Sequence, residues 1–310
     1  MKTQCSKDHH ECFDRQERAG KIVSKKRQAG AIQTIQDLYY AGTPLFDKSV
    51  IACLDQEIAR RPEHLGLLGM DRSLLEPRIG FQSIQRMING IPPDGRMRTW
   101  GALSSYRVAY HRKHTDPFSV PNLSGTKMLW GMYQQLWKES QACSCLMAML
   151  DELSLPRPVE KIVCFGLGAL LPDICRRCDV CQQYITCKLH EAIRSRHCTQ
   201  HAAALSMAQA LSRTGRKIPC YSQEPEYSLE CRKILGGLGI TVLDGHKGFL
   251  EVDDSTLVLS ISPTIPVKQI ITDLARPAMI IWDVTDGDER NSGRWQLLTH
   301  GDRQVWRRYV

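Results

Sequence analysis

The stretch KIVCFGLGAL, Lys161 to Leu170, decides the fold. A short apolar run, Ile162 to Phe165, breaks into Gly166-Leu167-Gly168. A buried parallel strand ends in this way when it feeds a loop that cradles phosphate. It also ends in this way at a tight turn, where glycine lets backbone approach backbone. A full dinucleotide fingerprint needs a third glycine at the helix start and an acid after the next strand. Leu171 and Pro172 stand where that glycine would be, and Glu224 is the acid. Both readings of the turn stand at this point.

Downstream, strands and helices alternate. The predicted strands are Ile162–Phe165, Lys217–Ser222, Ile240–Leu243, Thr256–Ile261 and Met279–Asp283. Helices are expected over 197–214, 229–235 and 266–274, the last opening on Pro266. Short apolar strands alternating with helices give βαβ units and a parallel sheet covered on both faces. Ligand sites in such sheets lie beyond the carboxyl ends of the strands. The candidates are therefore Gly166 and Gly168, then Glu224, Glu226, Tyr227 and Glu230, then Ser260 and Ser262, then Asp283. The carboxylates of SQEPEYSLE can hold a guanidinium or ammonium group or act as general base. They also suit a solvated helix N-terminus. No Gly-x-Ser-x-Gly elbow surrounds Ser260. Arg196 and His201 of RSRHCTQHAAAL are expected at a helix start, where anions bind.

Upstream, residues 1–30 are polar and expected to lack fixed structure. A mostly helical extension follows over 31–155. AIQTIQDLYYAG is read as a helix stopped at Gly42, and Asp47 caps a second helix carrying Val50, Ile51, Leu54 and Ile58. Residues 62–121 are rich in Gly, Pro and Arg and read as loops with short elements. The run from Gly125 to Leu153 reads as one long amphipathic helix.

The 310 residues carry a net charge of +8, which favours polyanions such as nucleic acid. The longest apolar run falls well short of the ~18 residues of a membrane span. The N-terminus has no apolar leader core. Thirteen cysteines without such a leader are expected to be reduced thiols in a cytoplasmic protein. Cys175, Cys178, Cys181 and Cys187 fit zinc or iron–sulfur spacing only in part, so no metal is expected and they read as free thiols in an inserted loop near 173–190.

KIVCFGLGAL, TQHAAAL, EPEYSLECRKILGGLGITVL, GFLEVDDSTLVLSISPTIPV and RPAMIIWD together resemble the sensitivity-to-red-light-reduced domain family. The likeness covers 159–284 within a domain spanning 156–310, and IQDLYYAGTPLFDKSVI is similar to the extension of fungal members. The resemblance implies an α/β fold, a Rossmann-like parallel sheet flanked by helices, with an N-terminal mostly helical extension. Many members are regulatory proteins. A fungal branch contains arginine-containing cyclodipeptide synthases, which draw arginyl-tRNA and a second aminoacyl-tRNA and need no cofactor. That branch implies catalytic roles for Glu224, Glu226, Tyr227 and Glu230. It implies substrate or tRNA contacts for Gly166, Gly168, Arg196, His201, Ser260 and Asp283. Its Asp-x3-Glu motif is nearest here to Glu226-x3-Glu230.

Overall fold

The computed structural model describes residues 25–60, 67–68, 74–91, 104–112, 123–155, 157–170, 188–212, 215–261, 263–283 and 295–299. The helices are α1 (25–40), α2 (Lys48–Arg60), α3 (Ile84–Asn89), α4 (Leu123–Lys138), α5 (Gln141–Glu152), α6 (Lys188–Leu211), α7 (Leu229–Gly237), α8 (Lys247–Glu251) and α9 (Val267–Leu274). The strands are β1 (Leu67–Leu68), β2 (Leu74–Phe81), β3 (Tyr106–Arg112), β4 (Lys161–Phe165), β5 (Cys220–Gln223), β6 (Ile240–Val242), β7 (Thr256–Ser260), β8 (Met279–Asp283) and β9 (Trp295–Thr299). Two compact units result: Met1–Asp47 with Ile79–Ala109, and Lys48–Arg78 with Tyr110–Val310.

In the first unit, α1 begins at or before residue 25, ahead of the expected Ala31, and stops before Gly42 at φ +88°. Ala31 and Ile35 of α1 pack against Met87 and Ile91. Phe46, Phe81 and Tyr106 form an edge-on aromatic cluster. The smaller sheet of the chain has the order β1-β2-β3. β2 and β3 are among the short elements expected within the loops of 62–121. Pro77 and Gly80 inside β2 conceal its strand character in the sequence.

In the second unit the main sheet has the order β6-β5-β4-β7-β8-β9. The first five strands are parallel, and β9 runs antiparallel to β8. The chain steps outward from β4 to β6, then returns to the other side of β4 as β7. The Gly-x-Gly turn thus sits at the point where strand order reverses. On one face Ile162, Cys164, Leu257, Leu259, Met279 and Ile281 join a core with α4, α5, α6 and α7. Ala202, Ala203 and Ala204 bring α6 close to that core. Each large apolar side chain buried there contributes about 1.5–3 kcal/mol. The Nε1–H of Trp137 donates to Ser206 Oγ (3.0 Å) and ties α4 to α6. On the other face Phe165 stacks on Phe249 of α8 at 4.5 Å between centroids.

Two helices differ from the sequence reading. The run over 125–153 divides into α4 and α5, because Ser140 is the N-cap of α5 and accepts from the Cys143 N–H (3.1 Å). The helix expected to start at 197 starts at 188. Arg196, His197 and His201 are therefore helix-interior residues. Their backbone N–H groups belong to the i−4 ladder and are not offered to an anion.

Candidate functional site

Gly166 (φ +70°) and Gly168 (φ +75°) both take the left-handed conformation that glycine tolerates. The Gly168 N–H donates to Glu224 Oε2 (3.0 Å), and the Glu226 N–H donates to Glu224 Oε1 (3.1 Å). His197 Nδ1–H donates to the carbonyl of Ala169 (2.8 Å), which lays its ring across Gly168. A Cβ on Gly168 would stand 2.3 Å from that ring. The donor that a dinucleotide fingerprint would offer to pyrophosphate is thus given to the protein's own carboxylate. The tight-turn reading of the loop fits this geometry.

Glu224 follows β5 and is 8% exposed. Burial pushes its carboxyl above the usual range. The two backbone N–H groups and the positive charge of Arg78 pull it back, and the neighbouring Glu226 charge adds to the rise. Glu224 lines a cavity of about 270 Å³. The cavity lies within the second unit, outside the carboxyl ends of β5 and β6. Its charged walls are Glu224, Asp244, Arg232 and His246 from the sheet side, Asp55 from α2, and Glu76 and Arg78 from β2. That makes four carboxylates against two arginines and one histidine. The volume is just under the ~300 Å³ at which small-molecule pockets begin, so it suits a head group better than a whole nucleotide.

Several of these groups are internally paired. Asp55 Oδ1 accepts from both the backbone N–H (3.2 Å) and Nδ1–H (2.9 Å) of His246. Gly245, at φ +58°, makes room, since a Cβ there would lie 2.5 Å from Asp55 Oδ1. Arg232 pairs with Asp244 at 2.6 Å. Lys48 Nζ donates to the carbonyls of Leu250 and Val252, which further docks α2 on α8.

On the opposite face runs a buried hydrogen-bonded chain. His201 Nδ1 lies 2.7 Å from the His197 carbonyl, which can only accept, so Nδ1 carries the proton. Nε2 then accepts the Tyr227 hydroxyl proton (2.6 Å), and Tyr227 Oη accepts from Ser222 Oγ (2.8 Å). Burial lowers the His201 pKa to about 4 and raises that of Tyr227 well above its usual value. This chain fixes the loop from β5 to α7 on which Glu224 sits.

The sequence candidates therefore separate. Glu224 lines the cavity, while Gly166 and Gly168 shape the turn behind it. Glu226 is exposed and contributes its backbone N–H, and Glu230 lies half-buried in the first turn of α7. Tyr227 and His201, expected at the substrate, are 4% and 0% exposed. Arg196 is exposed on α6. Ser260 ends β7, 2% exposed, and its hydroxyl has no partner among the described residues. Asp283 ends β8 in register with Trp295. Cys175, Cys178, Cys181 and Cys187 lie outside the described residues. Among the described residues no group of three or more side chains suits a metal ion, and no helix is long and apolar enough to cross a membrane.

Asp55, Glu76, Arg78, Arg232, Asp244 and His246 escaped the sequence reading. The strand-end rule, applied after Ile240–Val242, points directly to Asp244 and His246. Residues 146–304 match the model of the SRR1 domain, just over half of the chain. This is wider than the 159–284 over which the sequence blocks resemble the family. No curated protein and no solved structure matches the chain.

Proposed function

Since the chain belongs to the SRR1 domain family, we propose that it is an aminoacyl-tRNA-dependent cyclodipeptide synthase that forms an arginine-containing diketopiperazine. The observation that supports this reading is a contrast of charge. A chain of net charge +8 holds a small pocket in which carboxylates outnumber arginines. The basic excess suits the phosphate backbone of a charged tRNA. The acidic pocket suits the cationic head it carries.

In this reading Glu224 meets the guanidinium or the attacking amine of the substrate. Its raised pKa suits a group that accepts and returns a proton. The α-amine of one aminoacyl ester attacks the carbonyl carbon of the other. A C–N bond forms, and the ester C–O bond to the terminal ribose breaks. The amine proton passes to Glu224 and on to the departing ribose hydroxyl. A second aminolysis of the same kind closes the ring. The esters supply the driving force, and orientation lowers the barrier. Tyr227 and His201 act as positioning residues through the loop that carries Glu224. Arg196, exposed on α6, is available to the acceptor end.

The test is expression in a host with its own charged tRNAs, followed by mass spectrometry of the medium. The expected result is a new arginine-containing diketopiperazine. Glu224→Gln should abolish it while circular dichroism stays native. Folded wild-type protein that forms no diketopiperazine from supplied charged tRNAs would refute the reading.

A second reading is a non-catalytic regulatory protein of the same family. It draws on the engagement of both Glu224 oxygens by backbone N–H groups, which serves a structural role as well as a chemical one.

A further inference from the structure

The cations of the cavity are not equivalent. His246 is held by Asp55 and Arg232 by Asp244. The guanidinium of Arg78 also lines the cavity, and no side-chain hydrogen bond or ion pair joins it to another described residue. Its charge reaches Glu224 and lowers that carboxyl's pKa, so the two share one electrostatic environment without an ion pair. A guanidinium with five donors and no acceptor in a pocket wall is suited to an anionic oxygen.

We propose that the cavity takes a dipolar ligand, with its cationic head at Glu224 and an anionic oxygen at Arg78. The cationic half rests on the function proposed above; the anionic half does not. Arg78 reaches the site on β2, at a position that precedes the matched domain. The anionic oxygen has two sources of the same chemistry. One is the carboxylate of a free amino acid. The other is the last phosphodiester of a charged RNA end.

The sign of one preference is diagnostic. An acidic pocket with no available cation prefers argininamide, which has no carboxylate, over arginine. A pocket in which Arg78 binds an anion prefers arginine. The experiment is calorimetric titration of the full chain with three probes: L-arginine, L-argininamide, and a CCA trinucleotide carrying arginine through a 3′ amide. It compares wild type with Arg78→Met, with Arg78→Lys as a charge-preserving second variant and Lys233→Met as a control on the exposed face of α7.

A carboxylate occupant gives tighter binding of arginine than of argininamide. A phosphate occupant gives tight binding of the charged trinucleotide alone. In either case Arg78→Met weakens the favoured probe about ten- to a hundredfold, the range for a hydrogen bond to a charged group, and Arg78→Lys recovers part of it. Unchanged affinity in Arg78→Met, a wild-type preference for argininamide, or no binding of any probe overturns the proposal. Diketopiperazine formed by an Arg78→Met protein with unchanged affinity would sink this inference and leave the synthase standing. An Arg78-dependent preference without diketopiperazine would do the reverse.

Discussion

His201 shows how a single side chain acts here without meeting solvent. Its ring is fully buried and neutral, with Nδ1–H given to a carbonyl and Nε2 to Tyr227. The unfolded chain binds a proton there below about pH 6.5, and the folded chain resists until about 4. The unfolded state therefore holds more protons between those values. Stability is full above pH 6.5 and is lost as pH falls towards 4, by about 3 kcal/mol from this residue. His197, also lowered, adds in the same direction. Glu224 opposes, because its raised pKa means that acidification relieves a penalty in the folded state. Urea midpoints between pH 4 and 7 should fall with acidity in wild type, more steeply in Glu224→Gln and less steeply in His201→Gln. The sequence pointed to His201, Tyr227 and Glu224 as one neighbourhood. It could not say that two of them face inward. Strand alternation separates Ser222, on the face of Tyr227, from Gln223, whose Oε1 accepts from Gly248 N–H (2.7 Å) on the face of α8.

At the scale of elements, the turn after β4 does two jobs with two glycines. Both carry positive φ, but their surroundings differ. A Cβ on Gly166 would meet Pro263 at 3.5 Å, an ordinary contact. A Cβ on Gly168 would stand inside the His197 ring. Gly166→Ala should cost about 1–2 kcal/mol for the left-handed backbone. Gly168→Ala should cost at least about 2 kcal/mol more through displacement of the ring. Denaturant unfolding of the pair measures the difference. β4, β7 and β8 were legible because runs of Val, Ile and Leu buried on both faces leave a strong signal, and β5 and β6 through the alternation of strands and helices around them. β9 was not, since a single antiparallel edge strand has no βαβ context to announce it. β2 hid behind its proline and glycine, and the break between α4 and α5 behind a continuous amphipathic pattern. One serine at position 140 decided that break.

At the scale of the molecule, the cavity joins residues far apart in the chain. Asp55 and His246 are 191 positions apart and meet at 2.9 Å. A lone aspartate in a helix carries no sequence signal for such a meeting, and so the wall contributed by α2 and β2 was invisible before the fold. A double-mutant cycle with Asp55→Ala and His246→Ala should give a coupling of about 1–2 kcal/mol in unfolding free energy. Additive losses would mean that the contact does not hold α2 to the loop before α8. The place of α2 and β2 outside the matched domain has a wider consequence. The matched stretch begins at 146, yet Asp55, Glu76 and Arg78 stand in the wall beside Glu224. Three of the seven charged wall residues therefore stand ahead of the matched stretch. Relatives that are alike over the domain but differ where 48–78 lies here are expected to hold different molecules. Sorting such proteins by what they bind requires comparing the segment ahead of the domain as closely as the domain itself.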